Sequence, residues 1–105
     1  MHPTEAYERR EEVQLLDVRE PDEWAAGHID GAVHVPVGQL AARQDELAKD
    51  RTIVAVCRSG NRSGQVVAAL RGAGYDAENL DGGMQAWARA DLPYSAEDGS
   101  DPRIE

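Results

Sequence analysis

Val54-Ala-Val-Cys-Arg-Ser-Gly-Asn-Arg-Ser-Gly-Gln-Val-Val67 contains the only cysteine of the chain. The run Thr52-Ile-Val-Ala-Val56 is continuous and rich in β-branched residues, the pattern of a fully buried strand. Cys57 stands where that run ends. From Asn61 or Arg62 to Arg71 the pattern becomes helical, with Val66, Val67 and Leu70 on one face and Gly72 and Gly74 closing it. A strand, a short loop and a helix in that order form one half of a parallel β-α-β unit.

The flanking sequence repeats the alternation. Glu5 to Glu12 reads as a short helix with Thr4 as its N-cap. Val13 to Val18 reads as a buried strand, and Pro21 to Ala26 as a helix that has proline in its first turn and ends at Gly27. Ala32 to Val35 is a brief strand, Gln39 to Leu47 a helix, Asp76 to Leu80 a last short strand, and Met84 to Ala90 a helix. Trp24 and Trp87 read as core anchors. Alternation of this kind specifies an α/β fold with a central parallel sheet between helices on both faces. Ligands of such sheets bind beyond the carboxyl ends of the strands, where Cys57 stands. Residues 1–94 are expected to form one domain. Residues 95–105 are polar and are expected to be loose.

Composition narrows the function. With 41% hydrophobic residues and no Phe, the chain can build one core from Leu, Val, Ala and its two tryptophans. No segment approaches the roughly 18 apolar residues of a membrane span, and the first residues lack a signal-peptide layout. A cytoplasmic protein is expected, a monomer or at most a weak homodimer. One cysteine makes no internal disulfide and no thiolate metal cluster, and the three histidines show no ligand spacing, so neither metal nor cofactor is expected. The net charge of −9 argues against nucleic acid and anionic membrane as partners. Between Arg51 and Tyr75, however, there are four arginines and no acid. A basic island centred on the cysteine fits a small anion; Arg51 and Arg71 are expected to be ordinary surface residues.

A thiol becomes a nucleophile by losing its proton, and a helix N-terminus with nearby arginines stabilises the thiolate. Gly60 supplies a positive φ that lets the loop curl, so the amides of Arg58, Ser59, Asn61, Arg62 and Ser63 can turn inward as an anion nest. Ser63 can also cap the helix. Cysteine phosphatases use a comparable loop, with five residues between cysteine and arginine. Here four separate Cys57 from Arg62, and Ser63 takes the sixth place. The smaller nest suits one sulfur atom better than a phosphoryl group.

Cys57-Arg-Ser-Gly-Asn-Arg-Ser63 resembles the active-site loop of the rhodanese family of sulfurtransferases. Leu16-Asp-Val-Arg-Glu20, Glu23-Trp24, Gly27-His-Ile-Asp-Gly-Ala32, Val35-Pro36, Leu80-Asp-Gly-Gly83, Ala86-Trp87 and Leu92-Pro93 resemble its other segments, in the same order. The resemblance runs from about Val13 to Pro93. It implies a rhodanese-like three-layer domain with a five-stranded parallel sheet. The opening strand would precede Thr4, where three residues stand, so it is expected to be short or absent.

The resemblance also implies roles. Cys57 would take sulfur from a small anionic donor such as thiosulfate, hold it as a persulfide and pass it to a thiol or protein acceptor. Arg58, at the loop's second position, would favour an anionic donor. Ser59 stands where thiosulfate enzymes carry lysine, which weakens the case for thiosulfate as natural donor. Arg19 would lie beside the substrate, pair with Asp17 or Glu23, or do both. Arg62 would face the pocket or buttress the loop by bonding its carbonyls, the second being favoured. Asp17, Glu23 and His28 match family positions whose expected role is structural. Two other readings stand beside the enzyme: a persulfide carrier serving one protein partner, and a phosphatase or arsenate reductase, which the loop length disfavours.

Overall fold

The computed structural model describes residues 1–105. In chain order the regular elements are α1 (Pro3–Glu8), β1 (Gln14–Asp17), α2 (Pro21–Ala26), β2 (Val33–His34), β3 (Ile53–Val56), α3 (Asn61–Gly72), β4 (Ala77–Asn79) and α4 (Gly83–Arg89). The strands form one parallel sheet in the order β2-β1-β3-β4. The chain leaves β1 toward β2 and resumes at β3 on the other side of β1. The gap between the carboxyl ends of β1 and β3 is therefore the switch point at which open parallel sheets bind ligands.

Alternation along the strands sorts the core into two layers. Leu16 and Val18, with Ile53, Ala55 and Cys57, pack against Val66, Val67 and Leu70 of α3 and against Leu47. Val13 and Leu15, with Val54 and Val56, pack against Ala6 of α1 and Met84 and Trp87 of α4. Cys57 thus inherits the α3 side of the sheet from the parity of its strand. Trp87 is fully buried, meets Tyr7 edge-on at 5.9 Å and donates its indole N–H to the Pro93 carbonyl at 2.9 Å, as a buried Trp should. No helix is long and apolar enough to cross a membrane.

Several expectations shift. The N-terminal helix begins at Pro3 and stops at Glu8. Proline suits the first helical position, and His2 serves as the cap, its Nδ1 accepting from the Thr4 amide at 3.1 Å. The helix expected over Gln39–Leu47 is instead two 3₁₀ turns, Val37–Gln39 and Gln44–Glu46. Only Leu40 and Leu47 of that segment reach the core, too little packing to hold a short helix. The buried Gln14 pins it, donating to the Glu46 carbonyl at 3.0 Å and accepting from the Ala48 amide at 2.7 Å.

The sheet has four strands. No fifth strand is formed; before α1, Met1 donates to the Asn79 carbonyl at 2.7 Å and accepts from the Asp81 amide at 2.9 Å. Residues 95–105, expected to be loose, lie against α2. Ser95 exchanges two backbone bonds with His28, Glu97 and Arg103 donate to the Ala25 and Ala26 carbonyls, and Ile104 packs on the second core layer. Ala96 and Ile104 supply the apolar contact that the polar composition hides. Trp24 is only half-buried. It is sandwiched between His28 and His34 at 3.7 and 4.6 Å rather than set in the core.

The Asp81-Gly82-Gly83 turn ties the second layer to the cysteine loop. Gly83 has φ +60°, and a Cβ there would lie 2.5 Å from the Cys57 carbonyl oxygen and 2.7 Å from the Arg58 carbonyl carbon. Gly83→Ala adds left-handed strain to a backbone clash, so it is expected to cost about 2–4 kcal/mol, or roughly 10–20 °C in Tm. Thermal unfolding followed by circular dichroism checks this; a Tm within about 2 °C of the parent would contradict the packing described.

Candidate active site

Cys57 directly follows β3, and the next three residues turn sharply enough to bring the Gly60 amide back to 3.0 Å from its Sγ. The turn needs Gly60, the residue before α3, at φ +102°, a region that side chains with a Cβ rarely adopt. Ser63, in the first turn of α3, is fully buried and sets its Oγ 3.2 Å from the same sulfur. Burial pushes the Cys57 thiol up. The Ser63 hydroxyl and the amides of Ser63, Gly60 and Ser59 outweigh it and leave the thiol below its ordinary value. The amides of Arg58, Asn61 and Arg62, expected in the nest, are not among those that hold the sulfur.

The loop is clamped from behind. The Met84 amide donates to the Cys57 carbonyl at 2.8 Å and the Gln85 amide to the Arg58 carbonyl at 3.0 Å. Two free donors at the start of α4 thereby satisfy two loop carbonyls that would otherwise be orphaned.

The arginines divide into three roles. Arg58 is exposed and lies at the rim, where Ser59 and Asn61 are exposed too. Arg62 neither reaches the sulfur nor bonds the loop carbonyls, as had been favoured. Its guanidinium grips the Glu23 carboxylate with two bonds of 2.7 Å, fastening the start of α3 to the start of α2. The Arg62 guanidinium and the Glu20 amide hold Glu23 below the usual carboxylate range, against the upward push of burial.

Arg19, which the resemblance put beside the substrate, has no solvent contact at all. Its Nε and Nη2 bond the Asp17 carboxylate at 2.7–3.1 Å, and its remaining bonds go to the Gly27 and Glu23 carbonyls at 2.7 and 3.3 Å. The expected pairing with Asp17 is realised. A buried pair so fully hydrogen-bonded fixes geometry, and removing either partner would strand a charge. His34 completes the corner by donating from Nε2 to the Arg19 carbonyl at 2.8 Å, and His28 donates from Nδ1 to the Trp24 carbonyl at 2.8 Å.

Sequence reasoning missed Asn79. At the carboxyl end of β4 it accepts from the Ser63 hydroxyl at 2.5 Å and donates to the Gly60 carbonyl at 2.9 Å. A polar residue ending the strand beside the nucleophile's own was the available signal. No cluster of three or more His, Cys, Asp or Glu side chains is placed to hold a metal.

The Cys57 sulfur lies at the switch point, within reach of an amide and a hydroxyl. The family model described as the rhodanese-like domain matches residues 2–90. A sulfurtransferase of Allochromatium vinosum is 46% identical over 90 residues, covering 85% of this chain and 84% of that protein. The HTH-type transcriptional regulator Rv0324 of Mycobacterium tuberculosis is 45% identical over 93 residues, covering 85% of this chain; the chain spans only 41% of that regulator's length. The crystal structure of a rhodanese-related protein from Thermoplasma volcanium superimposes with a TM-score of 0.85 at 30% identity, covering 90% of this chain and 94% of that one. The chain belongs to the rhodanese-like domain family.

Proposed function

We propose that the domain is a sulfurtransferase that carries sulfane sulfur as a persulfide on Cys57, from an anionic donor such as thiosulfate to a thiophilic acceptor. That acceptor is cyanide in vitro and a thiol or protein in the cell. The observation that carries this reading is the sulfur set between the Gly60 amide at 3.0 Å and the Ser63 hydroxyl at 3.2 Å. These donors stabilise the thiolate, the attacking form. Relatives named as a sulfurtransferase and as a putative sulfur carrier protein lend support.

The reaction runs in two displacements. The Cys57 thiolate attacks the outer sulfur of thiosulfate; a bond forms between the two sulfurs, the donor's own S–S bond breaks, and sulfite leaves with the electron pair. The acceptor then attacks the outer sulfur of the persulfide, and the thiolate leaves, restored. Neither step needs a general base, because the nucleophile is already ionised, and neither needs an outside oxidant or reductant. In this reading the domain works in the cytoplasm, where thiols are kept reduced.

Arg58 is the cation of the loop that remains exposed, and in this reading it draws the anionic donor to the mouth of the site. Arg62 is committed to Glu23 and sets the angle between α2 and α3. With that guanidinium turned aside, the phosphoryl-transfer alternative lacks a cation over the loop.

Thiosulfate is expected to add the mass of one sulfur atom to the intact protein. Cys57→Ala should abolish both that adduct, seen by mass spectrometry, and thiocyanate formation in the cyanide assay. Retained turnover in the variant would refute the mechanism. Arg58→Ala should raise the KM for thiosulfate about fivefold, with kcat little changed, because an exposed charge contributes about 1 kcal/mol to binding. A KM that does not move removes Arg58 from donor binding.

A further inference from the structure

Four hydrogen bonds close a ring around the reactive atom. The Gly60 amide nitrogen and the Ser63 Oγ lie 3.0 and 3.2 Å from Cys57 Sγ. The two donors are joined behind it by one side chain, Asn79, which holds the Gly60 carbonyl at 2.9 Å and the Ser63 Oγ at 2.5 Å. Asn79 comes from the far side of the loop, at the end of β4, and is anchored there because the next residue's amide bonds the Ala55 carbonyl of β3 at 2.9 Å.

The orientation of the amide follows from its surroundings. Only the NH₂ group can meet the Gly60 carbonyl, so the Oδ1 atom must face Ser63. The Ser63 hydroxyl has a single hydrogen and two acceptors within reach, Oδ1 at 2.5 Å and Sγ at 3.2 Å. While the sulfur is protonated, that hydrogen sits on the shorter path to Asn79, and the thiol hydrogen points to a lone pair of Ser63. When the S–H bond breaks and its proton leaves to water, the hydroxyl turns from Oδ1 to the sulfur anion. No electron moves and no other group changes its protonation.

We propose that Asn79 is the positioning residue of the sulfur site: it holds both donors against Cys57 and keeps the Ser63 hydrogen in waiting until the sulfur ionises. The proposal rests on the sulfurtransferase reading for its purpose, though not for its test. Two effects of Asn79 on ionisation oppose each other. Holding the hydroxyl hydrogen favours the thiol, while fixing the Gly60 amide and the Ser63 rotamer favours the thiolate. Bonds to an ionised acceptor are roughly twice as strong as neutral ones, and Asn79 fixes two of them, so the second effect wins. The Arg62 guanidinium, which interacts electrostatically with Cys57, is held by Glu23 and not by Asn79, so it is unchanged when Asn79 is replaced.

The test is the pH dependence of Cys57 alkylation by iodoacetamide, in the whole chain, for the parent, Asn79→Ala and Asn79→Asp. Loss of the tether should move the midpoint upward by about one pH unit in the alanine variant, roughly a tenfold loss of thiolate below the midpoint. The aspartate variant keeps the shape and the acceptor, cannot donate to Gly60, and should shift at least as far. Thiolate-dependent sulfur uptake should fall about tenfold at pH values below the parent's midpoint and recover above the new one, which a merely damaged site would not do. In the parent protein, the side-chain amide NMR signals of Asn79 should titrate with the midpoint of Cys57, and that titration should vanish in Cys57→Ala. Unshifted midpoints in folded variants, or amide signals that ignore the titration of the parent, would overturn the proposal. Because alkylation and NMR involve no sulfur donor, they can fail while sulfur transfer is intact, or succeed where no donor is turned over.

Discussion

Everything at the reactive end of this domain follows from one tight turn. The chain must reverse within three residues so that an amide meets the sulfur of Cys57 at 3.0 Å. That geometry demands a left-handed glycine at position 60. It also delivers the first turn of α3, and with it Ser63, onto the same atom. Sulfur carries its negative charge diffusely and accepts weakly, so one donor would stabilise it poorly. Several fixed donors do so because their orientation was settled when the protein folded. The loop is therefore held on every side: by amides of α4 behind, by Asn79 from β4 below, and by the Arg62–Glu23 pair toward α2.

The fold supplies that turn with its setting by simple means. Strand parity places Cys57 on the α3 side of the sheet, and strand order opens the site between β1 and β3. The Asp17–Arg19 pair closes the neighbouring strand end, where it braces the carbonyls of Glu23 and Gly27. A charged corner without solvent is costly unless fully bonded, and here no buried side-chain nitrogen or oxygen lacks a partner. The three arginines differ in their settings: Arg19 is buried against Asp17, Arg62 is paired with Glu23, and Arg58 faces outward.

What could be read from the sequence was local. Cys57, Gly60 and Ser63 lie within seven residues of one another, and a β-branched run, a glycine and a helical pattern fix their relation without any distant contact. Helix α2 was legible for the same reason, since proline at its start and glycine after its end are local signals. What could not be read depended on distant partners. Asn79 reaches Ser63 across 16 positions, and Glu23 meets Arg62 across 39, so neither pairing leaves a periodic trace. The segment 39–47 carried a helical spacing of two leucines but no packing partner for the rest of a helix. The C-terminal residues carried a polar composition that concealed two apolar anchors. Arg19 was ambiguous until its burial was known.

The central claim is that Cys57 is ionised more readily than an unconstrained cysteine, despite its burial. The most direct measurement is the pH titration of its thiolate absorbance in the ultraviolet, using Cys57→Ala as the blank. A midpoint below the roughly 8.5 of a free cysteine is expected. A midpoint at or above that value would mean that burial outweighs the donors, and the sulfur would then be a packed core atom and not a nucleophile.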